Sequence, residues 1–213
     1  MRERPDVSDE DLEPWDGSPL AGGFEIEDAL VSETVWEGVS AAGGRVLRSR
    51  LNGVRASGSR MRSVRLVDTI VSDADLSNAD WGAAELRRVV FERCRMTGFG
   101  AAGVKGEDVV LRGCALQLAN LRGCELRGVD FVDCELDDAD LSGASLRDVR
   151  FESSRLRRVL IDGLRLQRVD FRGSALDPDG DVAGLRGAVI DSLQLVELGP
   201  LLARGLGLVV RDS

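Results

Sequence analysis

The sequence predicts an all-β chain wound into a four-sided β-helix and closed by a short C-terminal helical cap. Three observations predict it. The middle of the 213-residue chain runs in fives: of the 26 positions spaced five apart from Leu51 to Leu176, 23 are Leu, Phe, Ile, Val, Met or Trp, the exceptions being Ala56, Ala101 and Gly106. Two positions before each of these centres, 24 of 26 residues are small or β-branched; Phe99 and Leu164 depart. Similar residues also recur every twenty positions. Val89, Val109, Val129, Val149 and Val169 form one such column, each followed two places later by Phe91, Leu111, Phe131, Phe151 or Phe171. Ala74, Cys94, Cys114, Cys134, Ser154 and Ser174 form a column of small residues. A helix needs apolar residues at i, i+3 and i+4, and a lone strand needs strict alternation. Two inward residues in every five suit a coil that turns a corner each pentad, and the twenty-residue step makes four pentads a coil. Short internal periods of this kind mark β-helical solenoids, whose coils stack at about 4.8 Å.

The elements follow in order. Residues 1–21 hold many acids and little apolar content, which predicts a disordered tail. The pentad phase then begins weakly, with Phe24/Ile26, Ala29/Val31, Thr34/Trp36, Val39/Ala41 and Gly44/Val46, so the solenoid is expected over 22–191. From residue 26 to 176 it makes a little under eight coils, or about 35–40 Å of rod. At 177–182 the sequence DPDGDV breaks the phase, which resumes shifted at Ala183–Leu185 and Ala188–Ile190. Over 192–213 a cap is expected: a helix capped by Ser192, interrupted at Gly199-Pro200 and ended by Gly205, then a short strand at Leu208–Val210. This stretch is too apolar for a solvated helix, which suggests self-association through Leu193, Leu195, Leu198, Leu201 and Leu202.

The pentads ADLSN at 74–78, ANLRG at 119–123, ADLSG at 139–143 and VDFRG at 169–173 resemble the pentapeptide-repeat family. The resemblance implies a right-handed quadrilateral β-helix. With an apolar helix and short strand after the solenoid, the chain is similar to the fluoroquinolone-resistance members. That likeness implies an end-to-end homodimer, built here by 192–210, that binds DNA gyrase or another type II topoisomerase as a mimic of duplex DNA.

Composition narrows the chemistry. There is no His, so the common general base and metal ligand is missing. The four cysteines at 94, 114, 124 and 134 form no CxxC pair and are expected as reduced, buried thiols. GFGAAG at 98–103 satisfies G-x-G-x-x-G, but pentads flank it where a dinucleotide site needs a strand and a helix, so it reads as an irregular corner. DPDGD at 177–181 begins like a calcium loop, yet Val182 and Ala188 stand where Gly and a bidentate carboxylate belong. No catalytic, cofactor or metal residues are expected. Apolar runs are too short for a membrane helix, and no signal peptide is recognisable, so a cytoplasmic protein follows. Arginine far outnumbers lysine, of which Lys105 is the sole example, as in the G+C-rich genomes of actinobacteria.

The net charge of −9 sits mostly in residues 1–48, while the pentads are nearly neutral, so direct nucleic-acid binding is not expected. On the outward residue before each centre, Asp75, Asp80 and Glu85 make one acidic belt and Glu125, Asp130, Glu135 and Asp140 another, between belts of arginine. They are the candidate partner-binding residues, acting as phosphate surrogates; equally, belts of opposite sign can pair between rungs. The expectation is a non-enzymatic interaction solenoid that binds a topoisomerase. The alternative is a scaffold for an unrelated partner.

Overall fold

The computed structural model describes Pro5 and residues 7–211. Residues 1–4, 6, 212 and 213, which the tail and cap expectations include, lie outside the described residues. The chain forms a right-handed quadrilateral β-helix of about nine turns with one C-terminal helix. Every strand pairing is parallel, and the register through the body is one coil of twenty residues: Arg65 lies against Glu85, Glu85 against Lys105, and Lys105 against Glu125. Right-handed winding is the near-universal outcome when parallel strands of one sheet are joined by crossovers.

The four faces are of two kinds. Faces A and B are centred on Leu66 and Val71 and on the residues twenty apart from each. They are sheet, and over Arg65–Ser72, Glu85–Glu92, Lys105–Arg112 and Glu125–Val132 one strand runs continuously across both. Faces C and D, centred on Leu76 and Trp81, are through the body tight turns joined to the coils above and below by isolated bridges such as Arg55 to Asp75 and Asp80 to Gly100, and only near the C-terminal end do they carry paired strands, Arg155–Leu160 and Ala175–Asp179. At the corners the residue two after each centre is left-handed: Asp68, Arg88 and Asp108 at φ 49°, 50° and 52°, and Gly98 and Gly103 at 69° and 68°. Gly, Asn and Asp adopt this conformation most readily, which explains their abundance at that position.

The centres and the residues two before them fill the interior. Phe131, Phe151 and Phe171 stack nearly parallel, with ring centroids 4.7 and 4.8 Å apart. That is the coil spacing itself, so identical side chains at a twenty-residue step must lie face on face. GFGAAG is absorbed into this packing. Phe99 and Ala101 are both buried, and Phe99 meets Trp81 of the preceding coil edge-on at 5.4 Å. The large side chain has moved to the usually small position and its neighbour has shrunk to make room.

Both ends extend the coil count beyond the pentads. At the N-terminus, Glu13–Pro14 pairs in parallel with Ala29–Leu30, the Glu13 and Trp15 N–H groups donating to Asp28 and Leu30 carbonyls at 2.9 Å. Part of the expected tail thus covers the first edge of face B, and the apolar Trp15 packs against the core. At the other end one residue drops out of the coil: Arg157 pairs with Asp177, but Val159 with Pro178. Val169 then pairs with Ala188, nineteen residues on, and Gly184 fills the interior. A Cβ on Gly184 would lie 2.5 Å from the Ile161 carbonyl oxygen, so the closing coil requires glycine there.

The cap differs from expectation in three respects. Asp191, not Ser192, is the N-cap: its carboxylate accepts from the Leu193 and Gln194 N–H groups while the Gln194 side chain accepts from the Asp191 N–H, a capping box. Pro200 does not divide the segment. One helix runs Ser192–Gly205 with Pro200 inside it, and Gly207 beyond it is left-handed at φ 69°. Leu208–Val210 form no strand and are exposed, because no sheet edge lies beside them. Leu198 is buried against the last coil, and the Gln194 amide donates to the Phe171 and Ser174 carbonyls at 2.6 and 2.7 Å, satisfying backbone that the next coil would otherwise pair.

Candidate interaction surface

The outward residue before each centre is fixed by the pleat, so the two acidic belts lie on the walls. Asp75, Asp80, Asp130, Glu135 and Asp140 are half-buried, and Glu85 and Glu125 are exposed. On faces C and D the aspartate has a local role. The Ser77, Gly82 and Ser142 N–H groups donate to Asp75, Asp80 and Asp140 at 3.0, 2.9 and 2.9 Å. This is the Asx turn, in which a short side chain folds the backbone two residues on. It explains why Asp or Asn recurs before the centre in ADLSN and ANLRG.

The remaining carboxylate oxygens meet arginines from adjacent coils. Asp80 pairs with Arg62 at 3.0 Å, Glu85 with Arg65 at 2.6 Å, Asp140 with Arg122 at 3.0 Å, and Glu135 with Arg155 at 3.3 Å. Asp75 is 3.4 Å from Arg95 and Asp130 is 3.9 Å from Arg150. Glu125 makes no ion pair among the described residues. Partial burial raises the pKa values of Asp75, Asp80 and Asp140, but the hydrogen bonds they accept and their arginine neighbours outweigh it and hold each below the ordinary value. Six of the seven belt carboxylates lie within 4 Å of an arginine of an adjacent coil.

A second charged feature runs along a corner, where the sequence pattern was not followed. One corner column reads Asp28, Arg48, Asp68, Arg88, Asp108, Gly128, Asp148, Arg168. Arg48 grips Asp28, Arg88 grips Asp68 and Arg168 grips Asp148, each through two guanidinium nitrogens. Such forked pairs hold both geometry and charge. The signal was present: reading the corners, rather than the walls, at a twenty-residue step shows the alternation.

The cap divides the predicted self-association residues. Leu193 and Leu195 are exposed, at 66% and 53%, while Leu198 is buried and Leu201 and Leu202 are partly buried against the core. Burial takes Leu198 out of any outward contact. Val196 of the same helix, and Leu206, Leu208, Val209 and Val210 after it, are exposed as well.

The four thiols are free and buried. Burial pushes Cys124 up to about 12, and hydrogen bonding to Cys114 together with burial pushes Cys94 and Cys134 up as well. Hydrogen bonds from Cys134 and Cys94 shift Cys114 the other way, down, but all four sulfurs are buried away from any reactant. Asp181 of the DPDGD segment caps a short 3-10 turn by accepting from the Ala183 N–H at 2.9 Å. No helix of the described residues is long and apolar enough to cross a membrane.

Residues 104–178 match the family model described as a pentapeptide repeat region. Over that segment the chain is similar to the pentapeptide-repeat family. No curated protein matches it. Solved structures similar to this chain include QnrB1, a plasmid-mediated fluoroquinolone resistance protein, in the form of a trypsin-treated point variant. That match has 22% identity and a TM-score of 0.36, and covers 90% of this chain and 93% of that one. A second trypsin-treated point variant of QnrB1 matches at 20% identity and a TM-score of 0.41, over 89% and 91% of the two chains. HetL, a pentapeptide repeat protein involved in heterocyst differentiation regulation from the cyanobacterium Nostoc sp. strain PCC 7120, matches at 16% identity and a TM-score of 0.24, over 79% and 85%.

Proposed function

We propose that the chain is a non-enzymatic interaction protein: a rigid rod that self-associates through its C-terminal end and binds a type II topoisomerase. The observation that carries the self-association is the exposed apolar surface of Leu193, Leu195, Val196 and Leu206–Val210. Contiguous apolar surface on a soluble protein marks a docking site. It lies at one end of the rod, so an isologous contact closes as a two-fold dimer instead of growing into a filament. The absence of His and the burial of every thiol support a role without catalysis.

The likeness of the pentads and the apolar C-terminal helix to the fluoroquinolone-resistance members suggests the target class, although the short strand of that likeness is absent at Leu208–Val210, and the acidic belts would supply the contact. Their arginine partners are side chains of adjacent coils, mostly exposed, so a basic saddle on the target can replace them at little cost, since exposed ion pairs contribute about 0–1 kcal/mol each. The test is a supercoiling assay with purified DNA gyrase at micromolar protein, with and without a fluoroquinolone. Inhibition, or protection from the drug, is expected, with a weaker effect for the combined Asp130→Asn, Glu135→Gln and Asp140→Asn variant. No change in either condition sinks the topoisomerase reading and leaves a scaffold for another partner.

A further inference from the structure

Face A carries an open groove of about 630 Å³. It follows from the pleat. The residues before and after each centre point outward, so two rows of side chains flank the line of centres. One row runs from Arg65 to Arg165 and the other from Val67 to Arg147, with Leu66, Leu86, Gly106 and Leu126 along the floor. Arg65 to Arg165 is five coil steps, a length of about 24 Å.

The lining carries six cations against three carboxylates, an excess of three positive charges on a chain whose net charge is −9. Two of the glutamates are engaged: Glu85 by Arg65 at 2.6 Å and Glu107 by Arg127 at 3.3 Å. Arg87 and Lys105 are exposed and make no ion pair among the described residues. Arg165 donates only to the neutral Ser145 hydroxyl and Gly143 carbonyl, at 3.0 and 3.3 Å. Leu86 is the half-buried apolar point on the floor.

We infer that this groove binds an extended acidic peptide segment of a partner protein, its carboxylates meeting Arg87, Lys105 and Arg165 and an apolar side chain resting on Leu86. Charge complementarity and length fix the occupant: about seven extended residues span about 24 Å. A single nucleic-acid strand fits less well. The groove lining holds no aromatic side chain on which a base could stack. The inference does not depend on the topoisomerase reading, since it uses the cations of face A, among which Glu85 and Glu125 of the acidic belts stand, and not the belts themselves.

The test is fluorescence anisotropy on the full chain with a labelled peptide of sequence Asp-Glu-Leu-Asp-Glu-Leu-Asp. Its Asn/Gln counterpart and a dodecamer of deoxythymidine serve as the other probes. The acidic peptide is expected to bind at least about tenfold more tightly than the neutral one at low salt and to weaken as salt rises. The Arg87→Glu, Lys105→Glu double variant is expected to lose about tenfold or more, and because it sets like charges beside Glu85, Glu107 and Glu125 the neutral Arg87→Gln, Lys105→Gln variant serves as the fold control, with a near-unchanged melting temperature. Arg87→Gln, Lys105→Gln should lie between. Equal binding of the two peptides, an unaffected double reversal, or tighter binding of the oligonucleotide would overturn the inference.

Discussion

Gly106 is the one glycine among the pentad centres from Leu51 to Leu176, and filling it yields a signed prediction. It stands at a centre where Leu86 and Leu126 precede and follow it in register. Its neighbours Leu86, Val109 and Leu126, with Phe91, line part of an interior apolar void of about 50 Å³. A Cβ added at Gly106 would meet Leu126 Cδ2 at 2.9 Å, then Val109 and Val129 methyls at 3.6 and 3.9 Å. The close contact is the end of a flexible side chain beside the void, so it can yield. Gly106→Ala therefore gains about 0.4–1 kcal/mol from a stiffer unfolded chain. It gains about 0.8 kcal/mol from one buried methyl. Displacing Leu126 from its rotamer returns about 0.5–1 kcal/mol of that. The net is a stabilisation of about 1 kcal/mol, or about 2–4 °C in melting temperature for a chain of this size. Gly106→Leu asks for three more carbons than the alanine variant and overpacks the rung, at a cost of about 1–3 kcal/mol. Thermal unfolding followed by circular dichroism reads both. A lower melting temperature for the alanine variant together with a higher one for the leucine variant would show that the void and the Leu126 contact have been weighed the wrong way round.

Three further outcomes follow from the packing and charge. Phe151→Ala removes the middle ring of the stack and should cost about 3–5 kcal/mol in urea unfolding, whereas Phe151→Leu, matching Leu111 in the same column, should cost less than half as much. Leu118 is left-handed at φ 60° and 61% exposed, so Leu118→Gly should relieve about 1–2 kcal/mol of strain against about 0.5–1 kcal/mol of added chain entropy, and raise the melting temperature slightly. Arginine hydrogen bonds depress Asp28, Asp73 and Asp138, so their contribution is present above the unfolded carboxylate value of about 3.9 and lost as pH falls below it. Cys124 is raised, so its contribution is present below the unfolded thiol value of about 8.5 and lost as pH rises toward 12. Melting temperature should be flat between these limits, and a step near pH 6–7 would contradict both assignments.

The coil was legible because burial acts column by column. Any residue two before a centre must fit beside its neighbours twenty residues away, which is why the Val and Phe columns disclose four faces. The same rule explains why Phe99 and Ala101 could be read as a paired change of volume. Ion-pair partners were less legible. Some arginines reach straight along the column, as Arg93 to Asp73 does, but Arg62 and Arg122 lean across to Asp80 and Asp140, eighteen residues away. Side-chain lean depends on the turn geometry of each face and leaves no mark in the period. At the cap, Asp191 and Ser192 are both good N-caps, and only the reciprocal bond with Gln194 decides between them. Pro200 lies within the helix because packing of Leu198 and Leu201 on either side of it outweighs the one backbone bond that proline forfeits. The basic groove is less legible because acids and arginines alternate in belts around the rod, and the excess of cations shows only along face A.

Self-association through the C-terminal end is decided by the mass of the particle in solution. Light scattering coupled to size exclusion should give twice the chain mass at micromolar concentration. The Leu193→Glu, Val196→Glu variant should give the single chain mass with its β-rich circular dichroism intact, since both side chains face outward and neither supports the last coil. A wild-type chain that runs as a monomer at these concentrations, or a double variant that still runs as a dimer, would rule out this end of the rod as the dimerisation surface.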